Sequence, residues 1–156
     1  FTGMAYNSVP YHVKPDGYLD LEEVRRLALE HKPKLIWCGA TAYVREFPFE
    51  EMGKIADEVG AYFAADIAHI SGLIIGGVHK SPSPFADIIT TTTHKTLRGP
   101  RGGMIMVTKK GLQKDPELAE RIVALEKAVK FLSDGTPLYR SQLSPDERVA
   151  LDRQRV

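Results

Sequence analysis

Three short stretches of the sequence finish on groups able to do nucleophilic or acid–base chemistry. KLIWCGATAY (34–43) finishes around Thr41, and AYFAADIAH (61–69) closes on Asp66 and His69. FADIITTTT (85–93) runs straight into His94 and Lys95. All three are apolar runs of strand length, and the threonines of the last are β-branched and suit a strand. In an open parallel sheet the carboxyl ends of the strands line one crevice. A carboxylate, an imidazole and an amine would then converge there.

A lysine amine condenses with an aldehyde, and a buried carboxylate keeps a neighbouring aromatic nitrogen protonated by charge attraction. Pyridoxal 5'-phosphate needs both services, which makes Lys95 a candidate Schiff-base lysine and Asp66 a candidate pyridinium partner. Each residue also has a plainer reading. A single lysine after a strand is usually solvated, and a single aspartate at a strand end often caps a helix. His69 can pack on the sheet and bond a carbonyl. Arg98 and Arg101, in the glycine- and proline-rich loop LRGPRGG, suit either an anion or solvent. Taken alone, the spacing points to a functional crevice.

Positioning these residues requires a repeating strand and helix order. Asp20 starts a helix with Glu23 placed to close a capping box, and Val24, Leu27, Ala28 and His31 share one face. Lys32-Pro33 stops it. FEEMGKIADEVG (49–60) gives a second amphipathic helix with Gly60 as its C-terminal cap. SGLIIGGVHKSPSP is a glycine-rich connection, and GGMIMVTKK (102–110) a fourth strand after a tight glycine loop. The expected fold class is α/β, a mainly parallel sheet with flanking helices. Leu118, Ile122, Leu125, Val129 and Leu132 predict a further helix, ended by Asp134-Gly135-Thr136-Pro137, and Ser144-Pro145-Asp146-Glu147 opens a charged terminal one.

Composition narrows the function class. At 156 residues the chain suits one domain or part of a larger one, and its 43% hydrophobic and 26% charged content is that of a globular protein. A net charge of +1 gives no reason to expect nucleic acid or an anionic membrane as partner. Cys38 is the only cysteine, so an internal disulfide is excluded and a cytoplasmic setting is the simplest fit. Trp37 and Cys38 are expected in the core. His12, His31 and His79 have no metal-ligand spacing, so no metal site is expected.

Several ordered blocks resemble one known family. YNSVPYHV (6–13), EHKPKLIWCGATAY (30–43), DIAHISGLIIGG (66–77) and ADIITTTTHKTLRGPRGG (86–103) are similar to serine hydroxymethyltransferases, over about residues 4–122. The resemblance implies part of a fold-type I, PLP-dependent large domain over residues 1–133 and a divergent helical tail over 134–156. It implies interconversion of serine and glycine, with the one-carbon unit passed to tetrahydrofolate, in a homodimer or homotetramer. By resemblance, Lys95 would carry the cofactor and Asp66 pair with its ring nitrogen. His69 would contact its 3-oxygen region, and Thr41 and Thr92 would lie against it. His94 would influence reaction specificity, and Arg101 would support the site. The chain opens on Phe1-Thr2-Gly3 and is read as an excerpt of a longer polypeptide. A phosphate-binding turn and a ring-stacking histidine are expected before it, and an arginine for the substrate carboxylate after it. The alternative expectation is a catalytically silent remnant whose helical tail binds a partner.

Overall fold

The computed structural model describes residues 6–131 and 137–139, with side chains described through residue 124. The chain divides into two compact units, Phe1–Pro116 and Glu117–Val156.

In the first unit, helix α1 (Leu21–His31) begins where Asp20 Oδ1 accepts the Glu23 N–H at 3.1 Å. That is one half of the expected capping box. The other half is not made, because the Glu23 carboxylate turns outward and accepts the His12 N–H at 2.8 Å. Lys32 closes the helix in the left-handed region at φ 43°, since Pro33 after it disfavours a further helical residue. Strand β1 (Leu35–Cys38) follows, then α2 (Phe49–Val59), which Gly60 ends at φ 72° as expected.

Strand β2 (Tyr62–Asp66), the short helix α3 (Ser71–Ile75), β3 (Ile88–Thr92), β4 (Gly103–Val107) and α4 (Lys109–Lys114) complete the unit. The sheet order is β1-β2-β3-β4; the first three strands run parallel and β4 returns antiparallel to β3. The fold is therefore α/β with a mostly parallel sheet. Its registers place Cys38 beside Ala65, Asp66 beside Thr90, and Thr92 beside Gly103.

The core lies between one face of this sheet and the helices. Ile36, Cys38, Phe63, Ala65 and Ile89 meet Val24, Ala28, Phe49, Met52, Ile55 and Ala56. Gly53 lets α2 approach closely, because a Cβ there would stand 2.8 Å from the Phe85 carbonyl oxygen. Outside this core, Arg25 grips Glu58 with both Nε and Nη2, at 2.8 and 2.5 Å, and ties α1 to α2.

Several sequence expectations need correction. The run 34–43 is a strand for four residues only, and Trp37 is 46% exposed rather than core. Strand alternation turns Ile36 and Cys38 to the helices, and so turns Leu35 and Trp37 to the opposite face. The connection after His69 contains α3. The fourth strand stops at Val107 because Thr108 caps α4, its Oγ1 accepting the Gly111 N–H at 3.1 Å. In the second unit, the expected helix ends early. Helix α5 spans Leu118–Lys127, and residues 128–131 form β5 (Ala128–Phe131), paired antiparallel with β6 (Pro137–Tyr139). Val and Phe are strong strand formers, and strand pairing here overrides the helical spacing. Leu132, the break at 134–136 and the terminal helix from Ser144 lie outside the described residues.

One buried charge was not anticipated. Asp87, just before β3, is 0% exposed. Its Oδ2 accepts the Phe63 N–H at 2.8 Å and lies 3.4 Å from Lys114 Nζ, while Oδ1 lies 3.9 Å from Lys110 Nζ without a hydrogen bond. Removing one partner of a buried ionic cluster costs about 3 kcal/mol or more, because the others lose their counter-charge. Asp87→Ala is expected to lower the unfolding free energy by about that amount in denaturant titration, and a loss under about 1 kcal/mol would contradict this account.

Cys38 gives a second stability prediction. Burial pushes its thiol up from 9.0 to about 12, although a hydrogen bond with Tyr11 pulls the other way. A raised folded value keeps the neutral thiol's contribution intact below the ordinary value of 9.0 and loses it as pH rises toward 12. Native protein is thus expected to resist a thiol-specific disulfide reagent at about pH 8 and to react only after unfolding. Fast reaction of folded protein would show that Cys38 is reachable.

Candidate functional site

The site forms where β2 and β3 end. Asp66 is the last residue of β2, and its Oδ1 accepts the Ala68 N–H at 2.9 Å, which turns the chain sharply toward His69. Oδ2 makes no hydrogen bond among the described residues. Beyond the end of β1, Gly39 lies against Asp66. A Cβ on Gly39 would stand 2.7 Å from both the Asp66 Cβ and the Asp66 carbonyl oxygen. No side chain fits there, so this glycine is what allows the aspartate its place.

Thr90 and Thr92 stand on the same sheet face as Asp66, since Thr90 is its register partner and Thr92 is two residues on. Both hydroxyls are buried and have no hydrogen-bond partner among the described residues. A buried hydroxyl without a partner costs about 1–3 kcal/mol, so both stand ready to hydrogen-bond a group placed beside Asp66.

After β3, a loop closes on itself. Thr93 donates its N–H to Gly102 O at 3.0 Å and its hydroxyl to Pro100 O at 2.5 Å, and Gly99 returns an N–H to Thr93 O at 2.7 Å. The Arg98 N–H reaches Lys95 O at 2.9 Å, with Arg98 in the left-handed region at φ 55°. A closed loop of this kind holds its side chains in place.

Two of the expected residues meet directly: Lys95 Nζ lies 3.0 Å from His69 Nε2. While the amine is an ammonium it can only donate, so Nε2 accepts and the ring proton sits on Nδ1. A second pair is made by Arg101 Nη1 and His94 Nε2 at 3.2 Å. The guanidinium has no lone pair to offer, so His94 Nε2 is the acceptor. With Nε2 accepting, the ring proton sits on Nδ1, so the 3.5 Å approach of the Gly102 N–H to Nδ1 is a contact rather than a second hydrogen bond. Thr41 lies exposed in the loop after Gly39 and away from the Lys95–His69 pair's hydrogen bond.

Lys95, His69, Asp66 and the orphaned threonine hydroxyls therefore share one end of the sheet, and His94 with Arg101 flanks them. A nucleophilic amine beside a proton acceptor, a carboxylate with a free oxygen and unsatisfied hydroxyls fit a cofactor with an aldehyde and a basic ring nitrogen. Sequence reasoning missed Gly39, Thr90, Ser71 and Thr96. For Gly39 the signal was present, as a glycine just where the strand run ends. For the others, only the folded arrangement brings the partners together.

Comparison with known proteins gives this arrangement a context. The family model for serine hydroxymethyltransferase matches residues 1–138, further than the resemblance expected over about residues 4–122. A serine hydroxymethyltransferase of Methanosarcina barkeri is 53% identical over 139 residues, covering 88% of this chain and 32% of the relative. Those of Campylobacter jejuni and Lactobacillus gasseri are 45% and 47% identical, covering 95% and 92% of this chain and 39% and 37% of their own lengths. The chain thus spans well under half the length of the relatives it matches. With the family model matching 1–138 and relatives 45–53% identical over most of this chain, the chain belongs to the serine hydroxymethyltransferase family.

Proposed function

We propose that this chain supplies the cofactor-bearing part of a PLP-dependent enzyme that interconverts serine and glycine and passes the one-carbon unit to tetrahydrofolate. The observation that carries the reading is the 3.0 Å approach of Lys95 Nζ to His69 Nε2, at the strand ends where Asp66 also lies. Family membership and the relatives' names support the reaction class. Homo-oligomeric assembly belongs to the same reading.

When bound, the cofactor supplies an electron sink for the pair left by bond cleavage at the substrate's α-carbon. Every other part of the scheme falls to residues of the chain. Lys95 is the nucleophile that would hold the cofactor aldehyde, and it attacks only as a neutral amine. His69 Nε2, 3.0 Å away, would receive the proton that Lys95 gives up. Asp66 would set a negative charge against the ring nitrogen, using the oxygen that its turn leaves free. Thr92 would satisfy its buried hydroxyl on the bound group, and Thr41 would reach it from the neighbouring loop. Arg101 holds the His94 ring through Nε2, which fixes the side chain next to the nucleophile.

The direct test is an absorbance titration of the purified chain with pyridoxal 5'-phosphate, then borohydride reduction and peptide mapping. We expect the label on Lys95, and none at that peptide in Lys95→Ala. A label spread over the exposed lysines in both proteins would remove Lys95 from its role.

Gly39 offers an independent check on Asp66. Gly39→Ala forces a Cβ into the space of Asp66 and should shift the carboxylate. Overpacking costs about 1–3 kcal/mol, so cofactor affinity is expected to fall about tenfold. Unchanged affinity in a folded variant would mean that the position of Asp66 does not govern binding.

A further inference from the structure

Thr96, the residue after the nucleophile, makes the contact that brings two separate loops together. Its Oγ1 accepts the Gly72 N–H at 2.9 Å and lies 3.1 Å from Ser71 Oγ. Ser71 is buried, and the two residues open α3, directly after the turn that carries His69. The fit is close: a Cβ on Gly72 would stand 2.7 Å from Thr96 Cβ. Only a glycine at 72 admits the threonine side chain at this distance.

The consequence is geometric. Lys95 and His69 lie 26 residues apart, and each precedes one side of this contact by one to three residues. With Thr96 docked on Ser71 and Gly72, the loop holding Lys95 has little freedom relative to the turn holding His69. Two flexible loops without such a tie would have to fix the long lysine side chain by one hydrogen bond, against roughly 2 kcal/mol of rotamer entropy.

We infer that Thr96 is a positioning residue whose hydroxyl, shared by Gly72 N–H and Ser71 Oγ, staples the Lys95 loop to the His69 turn and so sets the 3.0 Å approach of the amine to the imidazole. This rests on the reading of Lys95 as the cofactor-holding nucleophile, but the staple can be measured with no cofactor present.

The test compares the 156-residue chain with Thr96→Val, which keeps the shape and removes the hydroxyl, and Thr96→Ser, which restores it. The cofactor-free readout is competitive acetylation, scoring Lys95 against the exposed Lys109 by mass spectrometry, with thermal melting to confirm folding. Losing one net hydrogen bond corresponds to about a fivefold change. Lys95 labelling relative to Lys109 is expected to rise about fivefold in Thr96→Val and to return to the parent level in Thr96→Ser. Borohydride trapping of pyridoxal 5'-phosphate on Lys95 should slow in the valine variant alone. Equal Lys95 labelling in all three folded proteins would overturn the staple. So would a change that tracks melting temperature and appears at every lysine, since that is a loss of fold. If Lys95 labelling behaves as expected but no cofactor is trapped even in the parent, the staple stands and the reading of Lys95 as cofactor anchor falls.

Discussion

Parallel pairing obliges neighbouring strands to end at one edge, and this constraint organises everything else in the first unit. Once β1, β2 and β3 run the same way, whatever follows each of them is delivered to a common rim. The register then decides the neighbours, so Asp66 has Thr90 on one side and Gly39 on the other. Neither fact depends on the chemistry of the rim. A core of Phe49, Met52 and Phe63 pays for the sheet, and the rim is free to carry groups that contribute little to stability.

The two ends of β3 show this division of labour. Before its first residue, Asp87 is fully buried, and its carboxylate is engaged by the Phe63 amide and two lysines. Past its last residue, the charged groups His94, Lys95 and Arg101 are half-buried or exposed. The Asp87 end buries its charge among lysines, whereas the far end leaves its charges half-buried or exposed.

Much of this was legible in the sequence, for identifiable reasons. The strand positions followed from apolar runs, the α2 terminus from Gly60, and the strand-end placement of Asp66, His69, His94 and Lys95 from the βα order. Other features depended on distant partners. Trp37 looked like core because composition does not show which face of β1 the helices cover. Glu23 was expected to bond its own helix, but the His12 backbone, 11 residues away, competes successfully for it. The helix expected through Leu132 yields at Ala128 to strand pairing with residues beyond 136, a contact that periodicity does not encode. Thr41 lies in the loop after β1, and its sequence position says nothing of where its hydroxyl points.

Strand β4 has a different kind of consequence. Among the described residues it is the last strand of the sheet on its side, and Met104, Ile105 and Met106 are partly exposed along it. Such a margin is adhesive, and an added strand would complete its hydrogen bonding at once. That addition would leave the pairing of β1, β2 and β3 untouched. The sheet is therefore extensible from its antiparallel side, and the arrangement around Lys95 need not be rebuilt for the sheet to grow.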